Sequence, residues 1–112
     1  MLSIVPAFSQ NVSCTQLLDY VEANGRYKGS VSSLSLYDSS WLNEVKAYAI
    51  DGNLAVVAKI KKNQYDLNGK KYVFCGIPSS NWDAFYYDTY DYGLSYGERF
   101  HKYIMDYVCD CN

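Results

Sequence analysis

The chain has 112 residues, 49% of them apolar and 20% charged, with a formal net charge of −2. That length supports one buried core and the composition is that of a folded domain, which excludes a disordered polymer. The slight acidity excludes a strongly basic nucleic-acid binder, while a local basic patch stays open.

The unusual count is 13 Tyr, a side chain with an apolar body and a polar tip that suits core edges and contact surfaces. No window approaches the roughly 18 apolar residues of a membrane span. Residues 1–10 carry no Lys or Arg ahead of their apolar residues and are interrupted by Pro6, so they do not read as a signal peptide. The expectation is a cytoplasmic protein with reduced thiols and no membrane partner. Its four cysteines are Cys14, Cys75, Cys109 and Cys111. Cys109 and Cys111 form a C-x-C pair, but the other ligand candidates, Cys14, Cys75 and the lone His101, are scattered. Free structural thiols are therefore expected, with no metal.

In chain order, Ser13 and Gln16 form a capping box that opens a helix. Leu17, Leu18 and Val21 supply its apolar face, and Asn24-Gly25 ends it. Residues Val31 to Tyr37 are Ser-rich and weakly alternating, which fits an edge strand or an extended connection. Val45 to Ile50 reads as a strand closed by the hairpin pair Asp51-Gly52. Leu54 to Ile60 follows, with Leu54, Val56, Ala58 and Ile60 on one face and Val57, Lys59 and Lys61 on the other. The polar stretch to Leu67 extends this strand through a bulge. Asn68-Gly69 then turns the chain into a strand over Lys70 to Cys75, and Gly76-Ile77-Pro78 ends the sheet.

Ser80 with Asp83 opens a short helix carrying Trp82 and Phe85, and Tyr86 to Gly93 reads as a Tyr/Asp loop. Ser95 with Glu98 is a second capping box. It opens a helix in which Phe100, Tyr103, Ile104, Tyr107 and Val108 recur at helical spacing, with Glu98 and Lys102 able to pair across one turn. The sum is an α+β fold: a small antiparallel sheet of three to five strands with the C-terminal helices packed on one face, plus an N-terminal helix.

From Ser39 to Cys109 the sequence resembles the KTSC family, a short domain at the C-terminus of some lysyl-tRNA synthetases that also stands alone in bacteria and phages. The likeness runs through Asn68-Gly69-Lys70-Lys71-Tyr72-Val73-Phe74-Cys75-Gly76-Ile77-Pro78 and through Ser95, Gly97, Phe100, Ile104 and Tyr107. Ser39-Ser40 and Tyr48 stand where the family has its opening Ser pair and first-strand aromatic. Phe74 replaces the second Tyr of a Y-x-Y pattern, extra residues precede Asn68-Gly69, and the loop before Ser95 is enlarged. Without an internal repeat, a low-complexity segment or a Pro/Gly-rich linker the chain reads as one domain over 1–112, of which the resemblance makes 39–109 the core and 1–38 an extension. The resemblance also implies RNA binding, the activity proposed for the family.

For catalysis the base is hard to staff. The lone His101 lies beside Arg99 and Lys102, and no nucleophile motif, Walker loop or H-E-x-x-H is present. A non-catalytic binding module without a cofactor is expected. Tyr72 and Phe74 share one face of a strand, and Lys59, Lys61, Lys62, Lys70 and Lys71 belong to the same hairpin. Aromatics beside cations suit RNA or a nucleotide. The competing reading packs Tyr72 and Phe74 under the terminal helix and gives the lysines the task of guarding an edge. The expected ligand-binding set is Tyr72, Lys59, Lys61, Lys71, Arg99 and Lys102, with Trp82 and Tyr92 lining a cleft. The alternative is a protein-interaction or homo-oligomeric module, of the kind a phage inhibitor or nucleotide-sequestering protein would use. Its surface would be the Tyr/Asp loop, with Trp82, Phe85, Tyr86, Tyr87, Tyr90, Tyr92 and Tyr96.

Overall fold

The computed structural model describes residues 13–37, 39–63, 65–88 and 92–111. The described elements are α1 (Cys14–Asn24), β1 (Arg26–Val31), β2 (Leu42–Ile50), β3 (Asn53–Ile60), β4 (Lys70–Phe74), α2 (Ser79–Tyr87) and α3 (Tyr96–Tyr103). A short 3₁₀ turn over Met105–Tyr107 follows them. The four strands form one antiparallel sheet in the order β1-β2-β3-β4. This is the expected α+β fold. No helix among the described residues is long and apolar enough to cross a membrane.

Local chemistry starts and stops these elements. Both capping boxes form: the Ser13 hydroxyl accepts from Gln16 N–H, and the Ser95 hydroxyl accepts from Glu98 N–H. In each the cap N–H donates in turn to the side-chain oxygen of residue three, and the cap is worth about 1 kcal/mol. The Glu98 carboxylate is thus committed to Ser95 N–H at 2.8 Å. Asp51 and Gly52 both adopt positive φ (51° and 79°), the pairing that a two-residue hairpin between twisted strands requires.

The sheet is buried on both faces. Val31, Val45, Ala47, Val56, Ala58 and Phe74 meet Trp82, Phe85, Phe100 and Ile104 from the C-terminal helices. Phe100 lies edge-on to Phe74 at 5.3 Å and to Phe85 at 5.8 Å, geometries that add about 1 kcal/mol each beyond area burial. On the opposite face Ala55, Val57 and Val73 pack under Leu17 and Val21 of α1. The continuous run Ala55-Val56-Val57-Ala58, wholly buried, follows from this two-sided cover.

Several expectations are corrected. The first strand lies at Arg26–Val31, and the chain from Ser32 instead makes a turn in which Leu36 N–H bonds Ser32 O. β3 stops at Ile60, and residues 61–63 and 65–69 form a loop instead of a strand extension. Asp66 organises that loop by accepting from Lys62 N–H and Gly69 N–H, both at 3.0 Å. Tyr86 and Tyr87 belong to α2, whose N-cap is Pro78 without a side-chain bond. α3 ends at Tyr103, and Val108 is exposed in an antiparallel bridge to Phe74. Tyr90 and Asp91 of the Tyr/Asp loop lie outside the described residues.

The largest correction concerns the thiols. All four cysteines are paired, Cys14 with Cys111 and Cys75 with Cys109, each with Cα atoms 5.1 Å apart, well within disulfide reach. The C-x-C pair divides because the Val108 bridge seats Cys109 beside the end of β4, while Cys111 reaches the first turn of α1. Cys109 N–H donates to Val73 O, and Cys75 N–H to Tyr107 O.

Candidate functional site

The expected binding set is not brought together. Lys59 pairs with Lys71 across β3 and β4, and Ala58 pairs with Tyr72. Alternation therefore puts both lysines on the α1 face and Tyr72 on the other. On the α1 face each lysine has a carboxylate. Lys71 Nζ donates to Glu22 Oε2 at 2.8 Å, and Lys59 Nζ lies 3.5 Å from Glu44. The Glu22 hydrogen bond raises the Lys71 pKa above its usual value. Phe74, which shares the Tyr72 face, is fully buried beneath Phe100. Tyr72 itself stays 39% exposed at the sheet margin, with Lys70 Nζ 5.3 Å from its ring.

Arg99 is not on an outer face. It is 4% exposed, with Nε donating to Phe85 O at 2.9 Å and a terminal nitrogen donating to Leu94 O at 2.6 Å. That nitrogen also lies 3.6 Å from Asp88 Oδ1, and the guanidinium sits 4.5 Å from the Tyr96 ring centre. Arg99 ties the end of α2 to the start of α3, and its donors are spent on structure. Lys102, by contrast, is exposed on α3, near the Tyr103 ring. Trp82 and Tyr92 do not share a cleft. Trp82 is buried and stacked on Tyr86 at 5.1 Å, over the space that Gly29 leaves on β1, whereas Tyr92 is 98% exposed.

What the fold does assemble is an apolar end. β1 leaves the sheet at Val31, opposite Val45, and β3 leaves at Ile60, opposite Leu42. The β1–β2 and β3–β4 loops therefore emerge side by side. Lys61 N–H donates to Trp41 O, and the Asn43 amide donates to Asn68 O. On these loops Leu34, Tyr37, Tyr65 and Leu67 are 80–85% exposed. Their exposure is built by their neighbours. Leu36 anchors the first loop in the core, and the Asp66 and Asn63 side chains hold the second by bonding its backbone N–H groups. With backbone polarity met inside the loop, the apolar side chains are left facing outward. The backbone N–H of Lys62, then that of Gly69, also hold the Asp66 carboxyl below the usual carboxylate range.

Beside this end a groove of about 220 Å³ runs between Ser39, Ser40 and Trp41 and the first turn of α3. Trp41 floors it, edge-on to Phe100 and 4.8 Å from the His101 ring. Gly97 lets the indole sit close there: a Cβ would come 3.2 Å from Trp41 Nε1, and the ring would have to shift by a few tenths of an ångström. The Ser39 hydroxyl is occupied by Leu42 N–H at 2.9 Å. Lys61, whose backbone N–H bonds Trp41 O, does not line the groove and has no carboxylate at ion-pair distance among the described residues. No group of three or more His, Cys, Asp or Glu side chains gathers at metal-ligand spacing among the described residues.

No family model, curated protein or solved structure matches this chain. The KTSC resemblance therefore stands on its own residues. For one of these the structure supplies a physical reason: Gly97 admits Trp41 against the first turn of α3. Sequence reasoning missed the apolar end because its four side chains are scattered over 34 positions and join only through the β2–β3 register. The available signal was local: Leu34, Tyr37, Tyr65 and Leu67 are large apolar residues set among Ser, Asn and Asp in segments without strand periodicity.

Proposed function

We propose that this chain is a non-catalytic binding module, stapled by two disulfides, that docks on a protein partner through Leu34, Tyr37, Tyr65 and Leu67. The observation that carries the reading is that these four side chains, almost fully exposed, all belong to two neighbouring loops at one end of the sheet, loops fixed from within. Monomeric surfaces scatter single apolar residues, and a gathered set of Leu and Tyr marks a contact surface. The pairing of every cysteine supports an oxidising compartment over a cytoplasmic one. A catalytic role is disfavoured because no thiol is free as a nucleophile and His101 packs against Trp41. RNA or nucleotide binding on the hairpin has weaker support, because Tyr72 and Lys71 face opposite sides and Lys59 and Lys71 are neutralised. A KTSC-like domain is compatible with either ligand class.

The test compares wild-type protein with the combined variant Leu34→Ser, Tyr37→Ser, Tyr65→Ser, Leu67→Ser, after circular dichroism shows both folded. Each is immobilised against the secreted proteins of its source and, separately, against a single-stranded RNA pool at two salt concentrations. A protein identified by mass spectrometry that wild type retains and the variant loses supports the reading. Equal retention by both, or RNA binding that falls with salt and is unchanged by the variant, overturns it.

A further inference from the structure

β4 is an edge strand, and the chain itself covers only half of its outer side. Residues 107–109 lie along that side as an added strand, with Cys109 N–H bonding Val73 O and Cys75 N–H bonding Tyr107 O. Beyond Cys109 this segment departs. Cys109 O is taken by Cys111 N–H, and Cys111 is bonded to Cys14 at the start of α1. Because the Val73 carbonyl points outward, the strict alternation of an antiparallel ladder sends Val73 N–H and both backbone groups of Lys71 outward as well. Among the described residues none of these three has a hydrogen-bond partner.

The open stretch has walls as well as an edge. A notch of about 180 Å³ lies along it, formed by Leu18 of α1, Val73, Tyr72, Val108 and the aliphatic parts of Lys70 and Lys71. The two sides of the edge differ in chemistry. Leu18 and Val73 make the α1 side apolar, and Lys71 there is already paired with Glu22. On the other side Lys70 lies over Tyr72, with no carboxylate at ion-pair distance among the described residues. The opposite edge of the sheet offers no such template, since β1 carries a bulge between Tyr27 and Gly29.

We propose that the open edge of β4 at Lys70–Val73, continued in line by the 107–109 segment, is a strand-docking site for an extended acidic peptide segment of a protein partner. The incoming strand runs antiparallel, as 107–109 does. It bonds the two outward groups of Lys71, since the place opposite Val73 is held by Cys109, sets an apolar side chain into the Leu18–Val73 notch and places Asp or Glu opposite Lys70. A second copy of this chain fits less well, since β4 against β4 would bring lysines face to face. The inference deepens the protein-partner reading but uses a surface separate from Leu34, Tyr37, Tyr65 and Leu67, so the two can fail independently.

The probe is a capped peptide of about ten residues alternating Glu with Val, compared with its Lys-for-Glu counterpart. Two variants isolate the backbone: Lys71→Ala and Lys71→Pro both lose the side chain and its Glu22 bond, and only the second loses the outward N–H, at an edge position where sheets tolerate Pro. The Glu peptide should bind wild type and the four-Ser loop variant alike, and Lys71→Ala, which loses a side chain lining the notch, serves as the reference for Lys71→Pro. The peptide should bind Lys71→Pro about tenfold more weakly than Lys71→Ala, the effect of one lost backbone hydrogen bond. Amide exchange at Lys71 in wild type should slow on binding, a readout that stands even where the Pro variant misfolds. Equal binding by the two Lys71 variants with no exchange protection overturns the proposal. So does equal affinity for the Lys peptide, or no binding of the Glu peptide at about 1 mM.

Discussion

Cutting the two disulfides separately tests how far the fold depends on them. Cys75–Cys109 closes a loop of 34 residues and Cys14–Cys111 one of 97. On the chain-entropy scale these correspond to about 3.8 and about 4.7 kcal/mol. With the first bond in place, the path closed by the second shortens, so its increment falls to about 4.3 kcal/mol. A domain of this size has only about 5–15 kcal/mol of net stability, so either loss is a large part of the whole. The perturbations are the paired substitutions C75S/C109S and C14S/C111S, with guanidinium unfolding followed by fluorescence of Trp41 and Trp82. Each pair should lower the extrapolated stability by about 3–5 kcal/mol. The C14S/C111S protein should also lose amide protection first in α1, which Leu17, Leu18, Val21 and the Glu22–Lys71 pair then hold to the sheet. Thiol titration of denatured wild type should find no free cysteine. Free thiols, or a cost below about 1 kcal/mol for both pairs, would refute the argument that these bonds staple the domain.

Arg99→Leu should cost about 3 kcal/mol in chemical unfolding, because it orphans the carbonyls of Phe85 and Leu94 and takes the ion-pair partner from a buried Asp88 oxygen that already lacks a hydrogen bond, whereas Lys61→Ala should stay within about 0.5 kcal/mol. Gly25→Ala should cost about 1–3 kcal/mol in the same assay. Its Cβ would lie 2.6 Å from Val21 O and 2.8 Å from Tyr48 Cβ, and backbone cannot yield as a side-chain tip can. The Asp66 carboxyl is held low by the Lys62 and Gly69 N–H groups, so its contribution is present at neutral pH and is lost as pH falls through the acid range toward its folded pKa. Asp66→Asn should therefore flatten the pH–stability profile below about pH 4, read from thermal midpoints across an acid series.

What was legible in the sequence was what neighbouring residues decide. The Ser13/Gln16 and Ser95/Glu98 boxes and the Asp51-Gly52 turn need only residues within four positions, and all three form. The amphipathic faces at Leu17 and Val21 and at Phe100 and Ile104 were equally plain. The continuous apolar run in β3 also signalled burial on both faces, although only one cover was anticipated. The remainder depended on distant partners. Arg99 lies one turn from Lys102, and no periodicity distinguishes a solvated cation from one drawn inward by the carbonyls of Phe85 and Leu94. β1 escaped because its first three residues are exposed and a bulge breaks its alternation. The disulfides escaped because Cys109 and Cys111 find partners 34 and 97 residues away, a pairing set by the Val108 bridge and by where α1 begins. The hairpin lysines show the same limit. The adjacency of Lys71 to Tyr72 in sequence concealed that alternation sends the two to opposite faces.

The most direct test of the binding surface is hydroxyl-radical footprinting of the wild-type chain with and without the protein it retains. Protection concentrated at Leu34, Tyr37, Tyr65 and Leu67, with Tyr92 left reactive, is the predicted result. Protection centred instead on the 92–95 segment, or none at the two loops, would contradict the account.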